Sequence, residues 1–383
     1  MVTKTKRPGR RIATSSGLAC AALALSGAAP PPPNTLQYDL RKLVYSAQVT
    51  AGTKAPVEPG EQYPADDRDR AIPSPSPIEP EQPQAAPERT NWYLNADVSA
   101  VADSNVNNAT NAREVPIDFG GVVLPVPLDP TLRQQSGAGF AASASGGVRH
   151  QVSPQTELAA GVEASAIDYE GGRNDDSSLL GAAGFNFKSA GGTSGWLQGI
   201  VFDRWYGGTS VSQGFGLRGN VRQPVGPGRA ITLYADARHF ESGFGDDFGG
   251  TQASVYLTYE AVLDPNTSSS FGGYVRREWL GGDPYSSREA GLYGGLNRFL
   301  SPWLTGGISG GVSRVGYDAP ILFLSPEARD DWRFYASTFL TTRRPLFLGI
   351  YPSLTYTYNR TRSSVDYYDS DRHRLRLGLS RAF

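Results

Sequence analysis

The sequence predicts an all-β protein, a 14-stranded antiparallel transmembrane β-barrel over residues 91–383 behind a short, largely disordered N-terminal segment. Three observations carry that prediction. Glycine stands at 45 and tyrosine at 19 against one cysteine, one methionine and 19% charged residues, a balance suited to closely spaced strands. Segments with one apolar and one polar face recur at period 2. The connections between them alternate between short turns and long polar loops, as in outer-membrane barrels. A net charge of −1 excludes a strongly basic nucleic-acid binder, so no nucleic-acid partner is expected.

The chain opens with Lys4, Lys6, Arg7, Arg10 and Arg11, followed by the short apolar run Gly17–Pro30 with small residues at Ser26 and Ala28. This is the layout of a signal peptide over 1–28, too short for a spanning helix. Its removal would take the five positive charges away and the net charge from −1 to −6. Cys20 lies inside the apolar run, with Gly17 where an acylated cysteine would have a larger aliphatic. The exported chain would then have no thiol chemistry. Residues 29–90 form a proline-rich periplasmic segment by this reading, with one short amphipathic helix at 35–48 from Leu36, Leu40, Leu43, Val44 and Ala47. Stretches such as IPSPSPIEPEQPQAAPE bury too little apolar area to offset their ordering entropy.

From 91 onward fourteen strands are predicted. The first seven span 91–103, 135–151, 156–168, 178–189, 194–206, 211–223 and 230–241. The others span 251–262, 268–279, 287–299, 302–315, 331–343, 346–360 and 372–383. The alternation is clearest in AITLYADARHFE (230–241), where Ile231, Leu233, Ala235 and Ala237 oppose Thr232, Tyr234, Asp236 and Arg238. Short connections (152–155, 225–228, 264–268, 300–302 and 343–345) contrast with long ones at 104–134, 242–250, 280–286, 316–330 and 361–371. An even strand number places both chain ends on the short-turn side. Trp92, Tyr93, Trp205, Tyr206, Trp279, Trp303, Tyr317, Trp332 and Tyr351 fall near strand ends, as expected for interfacial aromatic girdles. A soluble β-sandwich would alternate as well, but has no need of such girdles.

Charges at strand centres should point inward, because an arginine facing lipid at mid-membrane costs about 2–4 kcal/mol. The lumen-facing candidates are Glu157, Glu163, Asp236, Arg238, Glu260, Arg276, Glu278, Arg333, Arg374 and Arg376. They could line a wet, selective pore or cross-link a closed interior. In the final strand, Leu375, Leu377, Leu379 and the terminal Phe383 would face lipid, and that pattern resembles the signal read by barrel assembly machinery. His150, His239 and His373 lack ligand-like spacing, and the acidic loops 174–176 and 245–250 read first as solvated carboxylates, with cation binding as the alternative. Neither a catalytic nor a cofactor or metal site is expected, and the protein is read as a non-enzyme. Glycine clusters such as GLYGG lie within strands and read as close-packed wall.

Two stretches resemble the surface lipoprotein assembly modifier (Slam) family. NADVSAVADSNVNNA (95–109) is similar to that family's barrel entry, and 351–383 to its last two strands. The matching elements are Pro352, Tyr356, Tyr358, Arg360, Ser363, Tyr368, Asp371, Arg372, Arg374 and Phe383, with Arg329 and Asp331 upstream. The resemblance implies a C-terminal outer-membrane barrel that assists export or surface display of a lipoprotein. Members usually carry a periplasmic tetratricopeptide-repeat domain. Residues 29–90 cannot hold three repeats of about 34 residues, so that piece is expected to be absent or supplied by another chain, and the expected partners are a surface lipoprotein or a separate periplasmic repeat protein. Outer-membrane lipid, lipopolysaccharide and the barrel assembly machinery complete that list. The alternative function is a porin-like channel for small solutes.

Overall fold

The computed structural model describes residues 89–382, apart from 119, 120, 122, 129, 173, 323 and 343–349. The expected signal peptide, the proline-rich segment with its helix at 35–48, Phe383 and the start of the predicted strand 346–360 lie outside the described residues. Sixteen strands follow in chain order. They begin with β1 (Thr90–Asp103), β2 (Glu114–Asp118), β3 (Val123–Pro127), β4 (Gly137–Ser153), β5 (Thr156–Tyr169) and β6 (Asp176–Lys188). Next come β7 (Ser194–Tyr206), β8 (Thr209–Gly226), β9 (Arg229–Ser242), β10 (Gly250–Asp264) and β11 (Thr267–Leu280). The last are β12 (Ser287–Ser301), β13 (Leu304–Tyr317), β14 (Asp330–Thr342), β15 (Tyr351–Ser363) and β16 (Ser370–Ala382). β1 and β4 to β16 close one antiparallel barrel of fourteen strands; β2 and β3 form a separate hairpin inside the first long loop.

The faces separate as alternation requires. Outward positions are apolar and exposed, among them Val98, Phe140, Val162, Val201, Leu217, Leu257, Val275, Leu292, Ile308 and Leu377. Inward positions hold the buried polar residues, the arrangement of a barrel whose outside meets hydrocarbon.

Local chemistry sets the short rim. Four of its turns place a proline first: Pro154, Pro227, Pro265 and Pro302. The locked φ of proline suits the first central position of a type I turn. In three of them the preceding side chain accepts the N–H two residues on: Ser153 from Gln155 (3.2 Å), Asp264 from Asn266 (2.8 Å) and Ser301 from Trp303 (3.2 Å). Each of the four turns also carries a register shift, the bulge that matches a tight turn to a twisted ribbon. Long loops occupy the opposite rim with one exception. Gly207 and Gly208, at φ 54 and 79, join β7 to β8 in two residues, a turn that non-glycine side chains tolerate poorly.

The first long loop, 104–136, folds back over the barrel mouth. Val106 packs against the inward-facing Val101, Ala141, Ile167 and Tyr169. The same loop is knitted to the last one: Asn111 N–H donates to Asp369 O (3.0 Å), Thr110 Oγ1 to Asp366 O (3.2 Å), and Asp371 N–H to Asn111 Oδ1 (3.1 Å).

Candidate functional site

The barrel closes between its first and last strands. β1 and β16 pair from Asn95 opposite Ala382 to Asp103 opposite Arg374. At the long-loop end of this seam the Asp103 carboxylate is buried between two arginines. Arg372 donates through Nε to Oδ1 (2.8 Å) and through Nη2 to Oδ2 (2.6 Å), while Arg374 donates through Nε to Oδ2 (2.7 Å). The Tyr169 hydroxyl on β5 donates to the same Oδ2 (2.7 Å) and accepts from both arginines, at 3.3 and 3.2 Å. Asn105 N–H donates to Asp103 Oδ1 (3.0 Å), and Asn105 Nδ2 reaches Asp371 O (3.0 Å) across the seam. Ser104 N–H donates to His373 O (2.9 Å), and Ser104 Oγ accepts His373 N–H (2.9 Å). The two family-like stretches are therefore the two halves of one clasp.

A second buried network joins β11 to β14. Glu289 accepts Tyr274 Oη (2.6 Å) and lies 3.4 Å from Arg276 and 3.6 Å from Arg333. Asp331 lies 3.5 Å from Arg333 and 3.0 Å from Arg329. The Arg329 guanidinium sits 3.8 Å from the Tyr317 ring centre and 3.6 Å from that of Tyr368 in the last loop. Burial pushes the Tyr368 phenol up to about 12, so it stays neutral beside that cation. Smaller pairs line the remaining wall: Arg218–Glu163 (3.1 Å), Arg204–Asp176 (2.8 Å), Arg238–Asp236 (2.7 Å), Arg222–Glu260 (3.2 Å), Arg149–Glu157 (3.8 Å) and Arg376–Asp97 (3.5 Å).

Between these networks runs an inward belt of aromatic rings. Trp196, Tyr234, Tyr256, Tyr274 and Tyr293 stand 6.0, 5.5, 5.1 and 6.5 Å apart in succession. Tyr274 and Tyr293, and the buried Tyr335 on β14, each lie over a glycine on the neighbouring strand. A methyl at Gly291 would come 2.4 Å from the Tyr274 ring, at Gly311 2.4 Å from Tyr335, and at Gly272 2.6 Å from Tyr293. Glycine and tyrosine are abundant together because the wall is built of such pairs.

All ten residues expected in the lumen sit at inward positions: Asp236, Arg238, Glu260, Arg276, Glu278, Arg333 and Arg374 are buried, and Glu157, Glu163 and Arg376 half-buried. The structure brings Arg276 and Arg333 together on Glu289, Asp236 onto Arg238, and Arg374 onto Asp103. Leu375, Leu377 and Leu379 face outward. Sequence reading missed the acids that hold the network, Asp103 and Glu289, and the fully buried Arg218. Their phase was readable from Phe215, Leu217, Val221 and Leu292 on the opposite faces; their pairing was not.

The girdle needs a correction. Trp92, Trp279, Trp303 and Trp332 do face outward. Tyr93 and Tyr317 turn inward instead, to Arg149 and to Arg329 with Arg333, and the Tyr206 hydroxyl donates to Asn174. Inside the barrel the rings of Tyr93 and Tyr317 each lie beside a guanidinium, at 5.3 Å for Arg149 over Tyr93 and 3.8 Å for Arg329 over Tyr317. The acidic loop 174–176 is occupied structurally as well. Asp175 accepts the Tyr169 N–H (2.9 Å), and Asp176 pairs with Arg204.

A closed, even-numbered antiparallel barrel with an apolar exterior and an ion-paired interior defines a β-barrel protein of the Gram-negative outer membrane. Within that class, the chain belongs to the surface lipoprotein assembly modifier family, whose model matches residues 92–383. The hemophilin secretion modulator of Acinetobacter baumannii is 23% identical over 199 residues, covering 46% of this chain and 36% of that protein. The chain thus spans only about a third of the length of that relative. Among solved structures, the outer-membrane channel DcaP of Acinetobacter baumannii is 10% identical, with a TM-score of 0.43 over 77% of this chain and 97% of that one. A Pseudomonas aeruginosa FadL homologue is 9% identical, with a TM-score of 0.44 over 77% and 90% of the two chains.

Proposed function

We propose that the protein assists export or surface display of a lipoprotein, and that the clasped seam is the part of the barrel this activity depends on. The observation that carries the reading is the meeting of Asp103 with Arg372 and Arg374, since the family-like residues of both barrel ends converge on one buried cluster. The family match and the hemophilin secretion modulator support the same direction. The buried state of the inward charges favours it over free solute passage. Arg218, Arg276, Arg333, Asp103 and Asp331 each keep 4% of their surface or less, whereas the charged lining of a wide aqueous pore stays wet.

The seam also offers a physical route. A lipid-modified protein must keep its acyl chains out of water, and a path from a barrel interior into lipid has to pass between two strands. Parting β1 from β16 would break the Asp103 cluster, so the clasp sets the cost of opening there.

A second reading, a channel for small solutes, draws on the more open pairs Arg149–Glu157 and Arg222–Glu260, where four side chains keep 22, 29, 28 and 8% exposure. One paired experiment separates the two. Deleting the chain should remove a lipoprotein from the cell surface, as read by labelling intact cells, with restoration by the full chain. Steady conductance of the purified barrel in planar bilayers, together with unchanged surface lipoproteins after deletion, would overturn the export reading and leave the channel.

A further inference from the structure

The outer face of the barrel carries a cluster of positive charge on one side. At the long-loop ends of β11 to β15, Arg277, Arg288, Arg314, Arg360 and Arg362 all occupy outward positions. Their register makes them one patch. Arg277 lies opposite Arg288; Arg314 lies opposite Trp332, which lies opposite Arg362; Arg360 lies opposite Phe334. The exposed apolar residues Phe334, Val275 and Leu292 adjoin the patch, and Ile308 lies deeper on β13.

Position fixes their level. An outward arginine costs about 2–4 kcal/mol at the bilayer midplane but about 0–1 kcal/mol near the interface, so this row belongs among the headgroups. The exposed Trp279 and Trp332 mark the same level, with the Arg277 and Arg314 guanidinium carbons 5.5 and 6.0 Å from their ring centres.

The charges are not balanced within the protein. Asp318 holds Arg277 (Nη1 to Oδ1, 2.8 Å), and Asp330 holds Arg314 (2.9 Å). Asp371 stands opposite Arg360 in register. Among the described residues, neither Arg288 nor Arg362 nor Arg360 makes an ion pair with a carboxylate. Arg277 and Arg288, like charges facing each other across a strand pair, share the single carboxylate of Asp318, which Arg277 holds and whose charge Arg288 also feels. The opposite flank has the reverse sign, with Asp168, Asp203 and Glu241 at outward positions near the same rim and, among the described strand residues of β4 to β10, no outward arginine there.

We infer that this arginine face binds the phosphorylated disaccharide headgroup of a lipid A-type glycolipid in the outer leaflet. The chemistry fits in charge, level and spread. Guanidinium groups take phosphate oxygens in bidentate fashion. At roughly 4.8 Å per strand and about 3.3 Å per residue, Arg288 on β12 and Arg362 on β15, three strands and two register positions apart, stand about 16 Å from each other, room for two phosphates on one sugar pair. The glycolipid thereby fixes which side of the barrel it packs against.

The test titrates the purified full chain in detergent with bis-phosphorylated lipid A, dephosphorylated lipid A and phosphatidylglycerol, read by native mass spectrometry. Bis-phosphorylated lipid A should bind at least tenfold more tightly than either other lipid. The variant R288Q/R360Q/R362Q should lose that preference tenfold or more while keeping heat-modifiable gel migration, and R298Q, outward at the opposite rim, should keep it. If the triple variant fails to fold, the single variants R288Q and R362Q should each lose about threefold. Wild-type affinity in the folded variants, or equal binding of dephosphorylated lipid A, would overturn the inference. Equal binding of phosphatidylglycerol would also overturn it, reducing the face to a generic anionic-lipid contact.

Discussion

Arg276 and Arg277 are neighbours in sequence and opposites in environment. Arg276 points inward, 4% exposed, against Glu289 and beneath the Tyr256 and Tyr274 hydroxyls; Arg277 points outward, over Trp279 and beside Asp318. The same contrast holds for the groups as wholes. Inward arginines are buried and share carboxylates in networks that cross several strands. Outward arginines are solvent- or headgroup-facing, and only some of them meet an acid. Removing an acid from the inside strands a buried cation, whereas removing one outside exposes a cation that water or lipid phosphate can satisfy. One residue type thus holds the wall together on one face and meets the membrane on the other.

The sharpest way to break the comparison is D103A. It leaves Arg372 and Arg374 buried without their carboxylate and should cost about 3–5 kcal/mol of barrel stability. Urea unfolding in lipid vesicles, followed by gel migration, measures the loss; a cost below about 1 kcal/mol would make the clasp ornamental. E289Q comes next at about 2–3 kcal/mol, since Arg333 keeps Asp331 and only part of the charge compensation goes. In the same assay G311A should cost about 1–3 kcal/mol, because its methyl meets the Tyr335 ring and the wall is already close-packed. The truncation Y335A at the same contact should partly relieve G311A, and additive losses would show that the two do not touch in the folded barrel.

The smallest effect belongs to the outer face. Hydrogen bonds from Arg277 hold the Asp318 carboxyl below the usual carboxylate range. Its folded pKa is therefore depressed, so its stabilisation is present at neutral pH and fades as pH falls through that lowered value. The pair is partly solvated, and D318N should change stability by less than about 1 kcal/mol at pH 7, with the difference from wild type vanishing in acid. A larger loss would place this pair in the same class as the inward ones.

Much of this was legible in the residues. The fourteen strands and their faces follow from period-2 alternation, and the proline turns explain why predicted and observed strand ends mostly agree within two or three residues at 152–156, 225–229 and 264–268. The strand predicted from 346 is described only from Tyr351. The ten lumen candidates could be named because alternation assigns a face. Tyr93 and Tyr317 could not be assigned from proximity to a strand end, since that says nothing about direction; counting phase within each strand, from Trp92 on β1 and Ile308 on β13, would have turned them inward. The link between Asp103 and Arg372 spans 269 positions and depends on barrel closure, which alternation does not encode.

What the sequence determined by itself is the set of surfaces: apolar outside, polar inside, prolines at one rim. That is a local property, because a strand's side chains alternate whatever it pairs with. Tertiary structure alone decided the partners. The register of fourteen strands and the closing of β1 onto β16 chose which acid each arginine meets, which glycine each tyrosine covers, and which outward arginines gather into one face. Those choices depend on contacts between residues far apart in the chain, and only the closed barrel brings them within hydrogen-bonding distance.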